Sequence, residues 1–225
     1  MSQALIRADR LPEAYEQLMK IAEAQPDNLQ VLIRMANVAY MMEDYTAVAD
    51  ASEKALMIDD KCVEALFFYA KACIGHGDTT NAVAMLTKAI GLKPDYTEAY
   101  LLRGETLLSA GETAEADEDA CHLVKEYPEN EDILMLKARI ERAKGNPSEA
   151  ISYYGKAIDT NPFNANAYRE RGKLRIDNGD ESGGQADYRQ AKELEEQQNA
   201  GNEKQDIENE IKDKYKSIDP YGVFS

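Results

Sequence analysis

A repeat of 34 residues constrains this chain more than any other feature. Blocks beginning at Leu29, Val63, Thr97, Glu131 and Ala165 align without a gap, residues before Leu29 supply a partial first block, and the pattern runs to about Leu194. The eighth column reads Ala36, Ala70, Gly104, Ala138 and Gly172. The twentieth reads Val48, Ala82, Ala116, Ala150 and Gly184, with Ala14 in the partial block. Small side chains at two fixed points let paired helices approach closely, and the large fourth column (Leu32, Leu66, Tyr100, Leu134, Tyr168) fills the space they leave. A period of this size marks a stacked array of helix pairs rather than a single globule.

Helix breakers fall in phase with the period. Gly77, Gly111, Gly145 and Gly179 share one column, where a left-handed residue closes the first helix of each pair. Pro26, Pro94, Pro128 and Pro162 share another at the exit from each second helix, with Asp60 replacing proline in one block. Asn146 followed by Pro147 adds a helix start. No single pair can bury its apolar face alone, so neighbours must stack and the ends need covering. Ile207, Ile211, Tyr215 and Ile218 recur at spacings of four, four and three, which predicts a capping helix over 199–217. Pro220 ends it, leaving an apolar tail over 218–225 that carries Tyr221, Val223 and Phe224. At the other end, Leu5 and Ile6 read as the last part of a first helix.

These columns resemble the tetratricopeptide repeat (TPR) family. The resemblance is carried by Ala70, Gly77, Asp78, Ala82, Ala89, Pro94 and their column mates; the family's tryptophan is absent, and Gly183-Gly184 weakens the last second helix. It implies an all-α fold, a right-handed α-solenoid of tandem helix-turn-helix repeats over 1–198 whose first helices line the concave side. The ending from Asp219 to Phe224 is similar to tails of small bacterial members.

Lys+Arg number 26 and Asp+Glu 42, a net charge of -16 that opposes approach to phosphate backbones and anionic lipid. No nucleic acid and no membrane insertion are expected, because no apolar run is long enough to span a bilayer. The start lacks a secretory signal, and Cys62, Cys73 and Cys121 are widely spaced, which points to a reducing, cytoplasmic setting without a zinc site or disulfide framework. Cys73 and Cys121 read as packed thiols. His76 and His122 lack a converging partner, the carboxylate pairs read as solvated faces, and Gly155-Lys156 lacks the flanking residues of a phosphate loop. No enzyme, cofactor or metal is expected.

In the family, ligands lie along the concave groove against first-helix columns five, nine and twelve among others. Carried over, column five reads Ile33, Phe67, Leu101, Met135 and Arg169; column nine reads Asn37, Lys71, Glu105, Arg139 and Lys173; column twelve includes Tyr40, Ile74, Leu108 and Arg142. The middle of the groove is expected to be an exposed apolar row, and such patches mark contact surfaces. The adjacent column six, with Phe68, Leu102 and Leu136, reads as packing between repeats. Arg139, Arg142, Arg169 and Lys173 concentrate positive charge toward the C-terminal end, to hold an acidic group of the ligand or to neutralise acids such as Glu141 and Glu170. The lysine, asparagine and arginine combination of a chaperone carboxylate clamp is missing, since Ile33, Phe68 and Leu102 occupy the needed columns. The resulting expectation is a scaffold or adaptor for a protein or peptide ligand. The alternative is a structural subunit of a homo- or hetero-oligomeric assembly, with self-association through the C-terminal tail.

Overall fold

The computed structural model describes the backbone of residues 10–218 and the side chains of residues 10–201. The chain divides into two compact units, Met1–Pro128 and Glu129–Ser225. Among the described residues of the first unit, helix α1 (Leu11–Ala24) precedes three helix pairs: α2 (Leu29–Met41) with α3 (Tyr45–Ile58), α4 (Val63–Gly75) with α5 (Thr79–Leu92), and α6 (Thr97–Ser109) with α7 (Thr113–Glu126). The second unit holds two pairs, α8 (Glu131–Ala143) with α9 (Pro147–Thr160) and α10 (Ala165–Asp177) with α11 (Glu181–Ile218). The five block starts read from the sequence are the first residues of α2, α4, α6, α8 and α10, and each of these helices is 13 residues long.

Polar side chains set many of these starts. Asn28, Asp44, Asp78, Asn130 and Asn164 each accept from a backbone N–H three residues on, at 3.2, 3.0, 3.1, 3.2 and 3.0 Å. Such caps satisfy donors that a helix start leaves orphaned. The turn inside each pair closes alike. In the second full repeat the Asp78 N–H donates to the Cys73 carbonyl at 2.8 Å and the Gly77 N–H to the Ile74 carbonyl at 2.9 Å, which requires a left-handed residue between. Gly77, Gly111, Gly145 and Gly179 supply it, with φ between 78° and 90°; in the first full repeat the role falls to Glu43, at φ 57°. Where Asp60 replaces proline, Asp59 stabilises the loop by accepting from the Lys61 N–H at 3.0 Å.

The small columns are where the helices meet. Ala14, Ala36, Val48, Ala70, Ala82, Ala116, Ala138 and Ala150 are all 0% exposed. In the last pair both columns are glycine, and a Cβ on Gly184 would lie 2.6 Å from the Gly172 carbonyl oxygen. Gly184 thus permits backbone contact between α10 and α11 instead of breaking the helix. Arg103 and Asp119 join α6 to α7 through two hydrogen bonds of 2.8 and 2.6 Å; Arg171 and Asp187, in the same columns two repeats on, join α10 to α11 at 2.9 and 2.7 Å.

Two sequence expectations need correction or restriction. The segment expected as a separate capping helix over 199–217 is the continuation of α11, an unbroken helix of 38 residues. One exposed glycine among good helix formers costs only about 1 kcal/mol and does not stop a helix. Leu194 is the last buried residue among the described side chains, which end at residue 201. Leu5, Ile6 and the tail from Asp219 to Ser225 lie outside the described residues.

Candidate partner-binding face

In the first unit the first helices α2, α4 and α6 carry the candidate columns. Ile33 and Tyr40 on α2, Phe67 and Ile74 on α4, and Leu101 and Leu108 on α6 are each half-buried. The expected exposed row is therefore a partly covered one. Ile33 and Tyr40 pack against the N-terminal core around Leu32 and Ala36, and Phe67 and Ile74 against the core around Ala70 and Leu86. Column six behaves as packing: Phe68 and Leu102 rest on the same two cores. Asn37 is exposed and Glu105 half-buried. The most exposed large apolar chains among the described residues lie elsewhere: Met57, 82% exposed, near the end of α3, and Phe163, 69% exposed, in the loop after α9.

Lys71 is the distinctive member of this face. Its Nζ lies 3.9 Å from the ring centre of Tyr40, 4.8 Å from that of Phe67 and 5.6 Å from that of Phe68, and no carboxylate among the described residues pairs with it. Burial against these rings pushes its ammonium below the usual lysine range. The sequence reading placed Lys71 in the groove but missed the cage. The signal was there: a lysine in column nine follows an aromatic in column twelve of the preceding repeat and two aromatics in columns five and six of its own.

The second unit departs further from expectation. Met135 is only 7% exposed, in a core with Leu134, Ala138, Tyr154 and Leu174, so its placement on a ligand face is corrected: the packing of α8 with α9 and α10 buries it. The basic cluster is largely neutralised locally. Arg142 pairs with Glu170 and Arg169 with Glu195. Arg139 is half-buried and Lys173 exposed. Glu141, 5% exposed, accepts from Asn146 at 2.7 Å and pairs with Lys137 at 2.8 Å and Lys144 at 3.0 Å. Burial alone would raise its carboxyl, but these donors outweigh that and hold it down to about 2.

Groups that could carry chemistry are dispersed. The His76 Nδ1 is 2.9 Å from the Ala72 carbonyl, and the His122 ring stacks 4.6 Å from Tyr100. Cys62 and Cys73 are buried, with thiols raised by that burial, whereas Cys121 is exposed, contrary to the packed thiol expected. It falls on the outward side of α7, beside buried Ala120 rather than in the helix contact. Among the described residues no group of three or more His, Cys, Asp or Glu could hold a metal ion, and no helix is long and apolar enough to cross a membrane.

Models of the tetratricopeptide repeat match residues 74–140 and 135–199. The chain belongs to the tetratricopeptide repeat family. BBSome complex member bbs-4 of Caenorhabditis elegans is 26% identical to this TPR chain over 160 residues, covering 67% of the chain and 34% of that protein. DnaJ homolog subfamily C member 3 of Gallus gallus is 31% identical over 179 residues, covering 73% of the chain and 34% of that protein. The chain thus spans about a third of the length of these curated relatives. Among solved structures YrrB, a TPR protein with an unusual peptide-binding site, has a TM-score of 0.62 at 16% identity and covers 80% of this chain and 93% of its own; at that identity the likeness shows the fold. The TPR architecture supports a protein–protein interaction scaffold, and TPR repeats are generally non-enzymatic interaction modules.

Proposed function

We propose that this TPR protein is a scaffold whose first-helix face in the unit Met1–Pro128 binds an extended or helical segment of a partner protein. One observation carries the reading: α2, α4 and α6 repeat the same half-covered apolar pair, Ile33 with Tyr40, Phe67 with Ile74, and Leu101 with Leu108. A side chain that its own fold leaves half-covered can gain from a ligand, whereas a buried one cannot. Covering the remainder of six such chains contributes about 1 kcal/mol each, or about 6 kcal/mol in all. Lost translational and rotational freedom opposes this by at least about 4 kcal/mol. Apolar contact alone therefore gives weak binding, and a polar anchor sets the useful affinity and the choice of partner.

The test is selection of peptides from a random displayed library on the intact chain, followed by affinity measurement on Leu101→Glu. The reading expects selected peptides to lose at least tenfold in affinity with the melting temperature nearly unchanged. Equal binding to both proteins refutes it, and unfolding of the variant assigns Leu101 to the core.

A second reading, an assembly subunit, is favoured by α11, a helix of 38 residues whose side chains over 196–201 are exposed. Light scattering separates the two, since a scaffold awaiting its ligand is monomeric.

A further inference from the structure

We infer that Lys71 is the group that selects an acidic side chain in the bound segment, an inference that rests on the proposed use of the α2, α4 and α6 face. The sequence placed acid selection at the C-terminal arginines, but there Glu170 already pairs with Arg142 and Glu195 with Arg169. A ligand carboxylate would have to displace an existing partner at either one.

At Lys71 nothing needs displacing. Tyr40, Phe67 and Phe68 surround the ammonium, and their faces attract a cation without neutralising it. The charge is partly stripped of water and has no carboxylate opposite it among the described residues, so a carboxylate brought by a ligand meets a full positive charge in a low-dielectric setting. The rings also fix the long side chain, so less freedom is lost when the ion pair forms than for an unrestrained surface lysine. Two of the three rings, Tyr40 and Phe67, belong to the half-covered apolar row itself. A segment lying on that row therefore brings its neighbouring residues to Lys71. The occupant is an apolar segment carrying one Asp or Glu next to its anchor residues, and a charge-assisted pair of this kind changes affinity about 10- to 100-fold.

The experiment is the same display selection on the intact chain, followed by a double-mutant cycle. The inference expects an Asp or Glu to be enriched at one fixed spacing from two apolar positions. Exchanging that acid for its amide should weaken binding to the wild type at least tenfold and make almost no difference to Lys71→Met, which keeps the stem packed against the rings. Lys71→Arg, retaining the charge, should keep most of the preference, and melting curves verify that each variant is folded. Selected peptides without an acid, or an acid whose loss is felt equally by wild type and Lys71→Met, overturn the role of Lys71 and leave the face standing. Peptides whose affinity ignores Leu101→Glu, or no enriched peptides at all, overturn both.

Discussion

The contact between Gly172 and Gly184 predicts opposite outcomes for one chemical change made at two helical positions. Gly155 lies within α9 and Gly184 within α11, so replacing either by alanine recovers about 1 kcal/mol of helix propensity. At Gly155 the new methyl meets nothing nearer than the Arg171 Nη1 at 3.7 Å, an ordinary contact. At Gly184 it would lie 2.6 Å from the Gly172 carbonyl oxygen and 2.4 Å from the Ile176 Cγ1. The oxygen belongs to a packed helix backbone and cannot swing away, so α10 and α11 must separate, at an overpacking cost of about 1–3 kcal/mol. Gly155→Ala should therefore stabilise by about 1 kcal/mol, and Gly184→Ala should fall below it by the full packing term of about 1–3 kcal/mol. Urea denaturation followed by circular dichroism at the helix band measures both, and the difference between the variants removes the shared propensity term. If Gly184→Ala equals or exceeds Gly155→Ala in stability, close backbone approach is not what the small columns provide.

Three further outcomes follow from single sites. Glu43 carries a non-glycine side chain at φ 57°, so Glu43→Gly should stabilise by up to about 1 kcal/mol after the entropy of an added glycine is deducted; an unchanged or lower melting temperature counts against left-handed strain there. Asp119→Ala should cost about 3 kcal/mol by leaving the Arg103 guanidinium without its carboxylate, and Arg103→Met in the same background should restore part of the loss; a double variant no better than the single one contradicts the pairing argument. Glu141 is held down to about 2 in the folded state against about 4.3 when unfolded, so its contribution is complete above pH of about 4.3 and disappears as pH falls toward about 2. Acid titration of stability should be shallower for Glu141→Gln over that window, and parallel curves refute the assignment.

How much of this was legible in the sequence depended on whether a feature repeats. Alanine and glycine at columns eight and twenty are dictated by helix approach in every repeat, so their burial and the five first-helix starts could be read directly. Glu43 escaped notice as a left-handed residue because its column was recognised by glycine, although the turn geometry is the same. The Arg103–Asp119 and Arg171–Asp187 pairs stand at a common separation of 16 residues, a signal overlooked because only two repeats carry it. Met135 was misplaced because column five faces a ligand only where neighbouring helices leave it open, which depends on the bulk of Leu134 and Tyr154 around it. The arginine cluster misled for a related reason: Glu170 and Glu195 lie 28 and 26 residues from Arg142 and Arg169, distances at which charge pairing follows from packing rather than sequence neighbours. The stretch 199–217 reads as a separate helix because a new apolar stripe begins there, but no turn separates it from the preceding part of α11.

Where a bound segment lies is the central claim, and backbone amide shift mapping with a display-selected peptide tests it most directly. The account predicts shifts concentrated on α2, α4 and α6, strongest around Ile33, Phe67, Lys71 and Leu101. Shifts confined to the second helices α3, α5 and α7, Met57 included, or to the loop that carries Phe163, would contradict it.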